Sequence, residues 1–289
     1  MPVTALVSAK SCGVTTSALA LTLASRRVSL LAECDPAGGT IRAGYLAGSV
    51  TAQHGLYHLA AAERVGPDAL GNAFASALWT MDDAGHRKLL PGLTDPAQAA
   101  ALGRTWPALS EVLHVLADDA DYDVFIDAGR LALESGRLHT TLSPAPLIHE
   151  ADTVLLTVRA TDQSLALARH LIGPLRTELT ERGSGADTLG LLLIEDGPYR
   201  AHQVAEALHT PVLAALPWDP DTANYLTAGG RQPRGYGRSP LLRHARTATE
   251  QLEAAASRRR IQRDPRRVTP QLAGVVERMN LARRGTTHG

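Results

Sequence analysis

Val3-Thr4-Ala5-Leu6-Val7-Ser8-Ala9-Lys10-Ser11-Cys12-Gly13-Val14-Thr15-Thr16 is the stretch on which the fold turns. Its first six residues form a largely apolar run without alternation, the pattern of a strand buried on both faces, so a strand is placed at Val3–Ser8. Small residues follow, and a helical pattern then runs over Thr16–Ala24. A strand, a tight turn of small residues and a helix N-terminus together make an anion site, because backbone N–H groups converge there and the helix dipole adds positive potential. A hydroxyl in the first helical turn can hold Mg²⁺ beside phosphates; Thr15 stands at that place, with Thr16 next to it. The strict pattern G-x-x-x-x-G-K-[ST] fails, because Val14 occupies the position of the lysine. On this segment alone, an ordinary strand-to-helix turn competes with a phosphate site.

Outward from this stretch, strand-like and helix-like runs alternate, as in a mostly parallel sheet covered by helices. Further strands are expected at Val28–Ala32, Lys88–Leu90, Asp123–Asp127, Thr153–Val158, Leu189–Ile194 and Val212–Leu216. Helices are expected at Leu56–Ala62, Pro107–Ala117, Gln163–Glu178, Ala201–Leu208 and Leu241–Ala256. In Gln163–Glu178 the spacing of Leu165, Leu167, Ala168, Leu171 and Leu175 fits one buried face. Residues 228–240 read as an exposed loop, and no internal repeat is visible.

The chain has 289 residues, room for one large α/β domain and a short appendage. No stretch approaches the ~18–20 apolar residues needed to span a bilayer, and Met1-Pro2-Val3-Thr4-Ala5 does not look like a secretory signal. Two cysteines, Cys12 and Cys34, are no disulfide framework, and a cytoplasmic address is expected. They follow adjacent strands at the expected ligand edge and read as small buried residues. Only two of the 29 basic residues are lysines, Lys10 and Lys88. The net charge of zero hides an asymmetry: after Ser257, nine arginines stand against Asp264 and Glu277. One domain, 1–257, and an Arg-rich tail, 258–289, are therefore expected. The histidines show no metal-binding spacing, and no G-x-S-x-G elbow is present.

Four later segments carry a resemblance. Val28-Ser29-Leu30-Leu31-Ala32-Glu33-Cys34-Asp35-Pro36-Ala37-Gly38-Gly39 resembles the second signature of ParA/MinD proteins, a buried strand ending in D-x-D-P-Q-G, with Glu33 and Asp35 at its acidic positions. Tyr122-Asp123-Val124-Phe125-Ile126-Asp127 is similar to the family's Walker B strand, Y-D-x-x-I-D. Ala151–Leu156 and Pro211–Pro217 are similar to its last strands, and the order holds over roughly residues 3–250. On these motifs the chain resembles the ParA/MinD class of P-loop ATPases with a degenerate Walker A loop. The resemblance implies a doubly wound, mostly parallel α/β P-loop NTPase fold with a basic C-terminal tail.

It also implies a site for ATP and Mg²⁺. The loop Lys10, Ser11, Cys12, Gly13, Val14, Thr15 and Thr16 would cradle the phosphates. Thr15 and Asp127 would hold the metal, Asp35 would orient an attacking water, and Pro217 and Asp219 would line the adenine pocket. The family's second, dimer-crossing lysine aligns with Ala9. Lys10 is either a displaced substitute or a solvated loop residue, and Arg130 either a phosphate contact or a surface arginine. With the lysine missing, the chain is expected to be at most a weak ATPase.

The function implied is a nucleotide-dependent spatial regulator, a homodimer linked by nucleotide, with a protein partner. The lysine-deficient loop is similar in habit to TadZ/CpaE-like pilus localisation proteins, although their usual N-terminal receiver-like domain is not matched. Competing readings are a pseudo-ATPase scaffold that binds no nucleotide and a dethiobiotin-synthetase-type enzyme of the same superfamily. In the tail, Leu272, Val275, Val276 and Met279 share one helical face among arginines. That pattern suits an anionic membrane surface, nonspecific DNA, or a solvated or protein-bound tail, so a peripheral inner-membrane location is one expectation.

Overall fold

The computed structural model describes residues 2–51 and 54–260. All six residues of β1 (Val3–Ser8) are buried, which explains its lack of alternation and its central place. Val3, Ala5 and Val7 enter one core while Leu6 enters another, so the two-residue period of the strand divides the molecule into layers.

The sheet has eight strands in the order β10-β9-β8-β1-β5-β2-β4-β3. These are β2 (Ser29–Glu33), β3 (Trp79–Thr80), β4 (Arg87–Leu90), β5 (Asp123–Arg130), β8 (Thr153–Arg159), β9 (Leu189–Glu195) and β10 (Val212–Pro217). Every pairing is parallel except β3 with β4. A two-stranded hairpin, β6 (Leu133–Glu134) and β7 (Arg137–Leu138), stands apart.

One core layer is covered by α2 (Tyr57–Glu63), α3 (Pro67–Ala77), α4 (Thr105–Asp119), α5 (Ala145–Glu150), α6 (Asp162–Arg182) and α7 (Ala201–Leu208). The other is covered by α1 (Val14–Ala24), α8 (Pro220–Ala228) and α9 (Pro240–Arg260). Helices on both faces of a parallel sheet are the doubly wound architecture expected from the sequence. The chain passes from β1 to β2, β3 and β4 towards one edge, returns to β5 beside β1, and then crosses to β8, β9 and β10 towards the other edge. The switch point thus lies at the C-terminal end of β1, where open α/β sheets bind ligands.

Details differ from the sequence reading. α1 begins at Val14 rather than Thr16, because Gly13 already turns the chain. On α6, Leu165, Ala168 and Leu175 are buried as expected, but Ile172 and Leu179 complete the face and Leu167 is exposed. Residues 229–239 are the expected connection, largely exposed, although Tyr236 packs edge-on to Tyr225 at 5.1 Å. β3, α3, α5, α8 and the β6–β7 hairpin are additions.

α9 runs past 257 to Arg260, and Arg259 donates to Asp152 O and Thr153 Oγ1. The amphipathic stretch Leu272–Leu281 and the later arginines lie outside the described residues. Among the described residues, no helix is long and apolar enough to cross a membrane.

Candidate functional site

Ala9–Gly13 leaves β1 at the switch point. Gly13 has φ 87°, in the left-handed region that only glycine enters without strain, and from there the chain winds directly into α1. The first helical bond runs from Ser17 N to Gly13 O. No side chain caps α1, so the first-turn N–H groups keep their capacity for an anion.

β5 pairs directly with β1, Leu6 opposite Asp127, and this register brings Asp127 beside the loop. Thr15 Oγ1 donates to Asp127 Oδ2 at 2.5 Å, and Gly129 N donates to Oδ1 at 3.0 Å. Burial pushes the fully enclosed Asp127 carboxyl up to about 7; the Thr15 bond opposes this, while Glu33 and Asp35 add to it.

Asp35 stands on the neighbouring loop, where its Oδ1 accepts from Ala37 N at 2.8 Å. Burial raises its pKa, countered by the Ala37 N–H and then by the charge of Arg130. Gly129 has φ 67° and lies against this carboxyl, leaving no room for a side chain. Asp35, Asp127, Thr15 and Arg130 are thereby brought to one place from β2, β5 and α1.

Glu33 plays a different part. It is 1% exposed, with Oε1 accepting from Thr40 N and Ile41 N and Oε2 from Gly92 N. Its carboxylate staples two loops together. Cys34 is fully buried, and burial pushes its thiol well up, with Asp127, Glu33 and Asp35 adding to the shift. It is therefore a packing residue rather than a thiolate. β5 lies between β1 and β2, so Cys12 and Cys34 do not follow neighbouring strands of the sheet.

Val14, where a lysine would stand, is 6% exposed and packs in the same core as Leu6 and Ala18. Lys10 and Ser11 are exposed. Cys12 is buried, with its Sγ 3.6 Å from Ser164 Oγ.

Beside the loop opens a cavity of about 620 Å³. One wall is Cys12, Gly13, Thr16 and Ser17, and the other is Pro217, Trp218 and Asp219. The cavity thus unites Cys12, Gly13 and Thr16 of the expected loop with the expected base-lining segment, while Thr15, Asp35 and Asp127 are not among its lining residues. Asp219 is also a folding residue: its Oδ1 accepts from Thr222 N to cap α8, and its Oδ2 accepts from Leu241 N.

Arg159 and Trp218 are among the lining residues that the sequence reading does not include. The Arg159 guanidinium lies 4.8 Å over the ring of Trp218, which is 51% exposed, and Arg159 Nε donates to Asp196 Oδ2. A basic residue ending a strand at the ligand edge, and an aromatic directly after Pro217, were the available signals.

Among the described residues, no group of three or more His, Cys, Asp or Glu side chains could hold a metal ion. A metal here would rest on a hydroxyl, a carboxylate and ligand oxygens, as Mg²⁺ does beside phosphates.

No protein-family model matches the chain, and no curated protein matches it. Solved structures do. MinD from Pyrococcus horikoshii OT3, complexed with Mg-ADP, is 16% identical with a TM-score of 0.62, covering 89% of this chain and 98% of that one. A ParA family ATPase from Chlorobium tepidum TLS is 17% identical with a TM-score of 0.61, covering 86% and 98%. The MinD cell division protein of Aquifex aeolicus is 15% identical with a TM-score of 0.59, covering 92% and 99%. Over nearly their whole length, this chain has the fold of ParA/MinD-type P-loop ATPases.

Proposed function

We propose that the chain is a nucleotide-dependent spatial regulator that binds ATP with Mg²⁺ at a degenerate phosphate loop and hydrolyses it slowly or not at all. The observation that carries this reading is the uncapped N-terminus of α1, where Thr15 is bonded to a buried Asp127 and the neighbouring Gly13 and Thr16 line a cavity large enough for a nucleotide. Mg-ADP in the similarly folded Pyrococcus horikoshii MinD supports the choice of ligand.

The residues present fit such a ligand. First-turn N–H groups would receive phosphate oxygens, Thr15 and Asp127 would hold the metal, and Pro217 would face the base. The metal would offset the negative charge that Asp127, Asp35 and the phosphates bring together. Hydrolysis is expected to be weak because Val14 is packed in the core, so no lysine neutralises charge developing at the phosphate.

A protein that mainly binds can still switch, since a nucleotide favouring one conformation or dimer shifts the population by its differential affinity. In this reading, nucleotide favours a homodimer that engages a protein partner. The buried Val14 also favours a second reading, a scaffold that has kept the fold and lost the ligand. Light scattering with ATP, with ADP and without nucleotide, together with phosphate release, separates the two. A nucleotide-dependent rise in mass with slow release supports the regulator; an unchanged mass with no release supports the scaffold.

A further inference from the structure

Resting on the nucleotide reading, we infer that Arg159 is the cation of this site, binding the phosphates of a nucleoside di- or triphosphate in place of the lysine that Val14 displaces. Arg159 ends β8, the strand next to β1, with Ser8 opposite Thr157, so it projects from the same sheet edge as the loop. It lines the same cavity as Gly13, Thr16 and Ser17.

Its placement is built rather than incidental. Its backbone N–H donates to Ser164 Oγ at 2.8 Å, and that hydroxyl also lies 3.6 Å from Cys12 Sγ in the loop. The side chain is held between Asp196, whose side chain is 7% exposed, and the face of Trp218. This pairing uses the Nε donor, and a guanidinium carries five donors in a planar fork that matches phosphate oxygens. Asp196 Oδ1 is buried without a hydrogen-bond partner, so the carboxylate is not fully engaged by the arginine.

Lys10 is exposed, and Arg130 acts on Asp35. Arg159 is instead the basic side chain set in the cavity wall. The half-exposed ring of Trp218 beside it offers a stacking surface for the base.

The test is calorimetric binding of ADP and of adenosine, with Mg²⁺, to the wild type and to the double variant Arg159→Gln, Asp196→Asn, which replaces the ion pair by an amide pair. The variant is expected to lose ADP affinity by on the order of tenfold to a hundredfold, the loss of a charge-assisted bond, and to keep adenosine affinity. Unchanged ADP affinity, or equal losses for both ligands, overturns the inference and leaves the nucleotide reading standing. A wild type that binds neither ligand overturns both. Independently of any variant, phenylglyoxal labelling of the wild type, mapped by mass spectrometry, reads Arg159 directly. Protection by ADP but not by adenosine is expected, and equal labelling with and without ADP overturns the inference.

Discussion

Glu33→Gln probes how the site is held. Glu33 accepts from Thr40 N at 2.7 Å, Ile41 N at 2.9 Å and Gly92 N at 2.8 Å from within the core. Burial raises its pKa, and the three N–H bonds and then the charge of Arg42 oppose that rise. Glutamine has the same shape but replaces one oxygen with an NH₂ group. The cheaper orientation keeps the bonds to Thr40 and Ile41 and sets the NH₂ against the Gly92 N–H. A buried N–H without a partner costs about 1–3 kcal/mol, and a bond to a charged group contributes about 1.5–3 kcal/mol. Relief of the buried charge offsets part of this, so a net loss of about 2 kcal/mol is expected at neutral pH. Urea denaturation reads it as a lower midpoint with unchanged slope. Hydrogen exchange at the Gly92 amide should accelerate as well. A variant as stable as the wild type, with unchanged exchange, would refute the view that this carboxylate staples the loops.

Gly129→Ala is expected to cost more than the usual penalty of about 1 kcal/mol for a left-handed residue, because the new methyl collides with the Asp35 carboxyl; thermal denaturation measures it. Asp123, bonded by Ser25 Oγ at 2.5 Å, has a pKa raised by burial, with the Ser25 bond and Arg27 opposing. Its ionisation therefore costs stability as pH rises from its unfolded value, about 3.9, through its folded one. Asp123→Asn should thus be more stable than the wild type at neutral pH and equal to it below about pH 4, read by urea midpoints across pH. Val14→Lys should lose about 1–2 kcal/mol of stability with the buried valine, yet gain about tenfold or more in ATP affinity by calorimetry.

The strands are legible because they are buried on both faces, so largely apolar runs such as Val3–Ser8 and Leu189–Ile194 stand out without alternation. Boundaries drifted where backbone conformation decides them, as at Gly13. α3 escaped notice because only Leu70, Gly71, Phe74 and Ala77 are buried among small and polar residues. α8 has a legible start, since Asp219 caps it and Pro220 opens it, a signature that the expectation of ligand contact at Pro217 and Asp219 leaves unused. Asp35, Asp127 and Thr15 could be grouped from motif order, and the structure does bring them together. The pairing of Arg159 with Asp196 and Trp218 joins residues of three separate segments, and nothing in local pattern encodes it. The division of labour between Glu33, which holds loops, and the half-buried Asp35, which stands near Asp127, depends on burial that both residues' neighbours decide.

Whether the loop binds nucleotide despite its missing lysine is decided by calorimetry with ATP and ADP in Mg²⁺, beside an Asp35→Ala variant. Micromolar binding by the wild type is the result predicted, with light scattering reporting a dimer when ATP is bound. No binding at millimolar nucleotide would contradict a nucleotide site at this loop and leave only the fold.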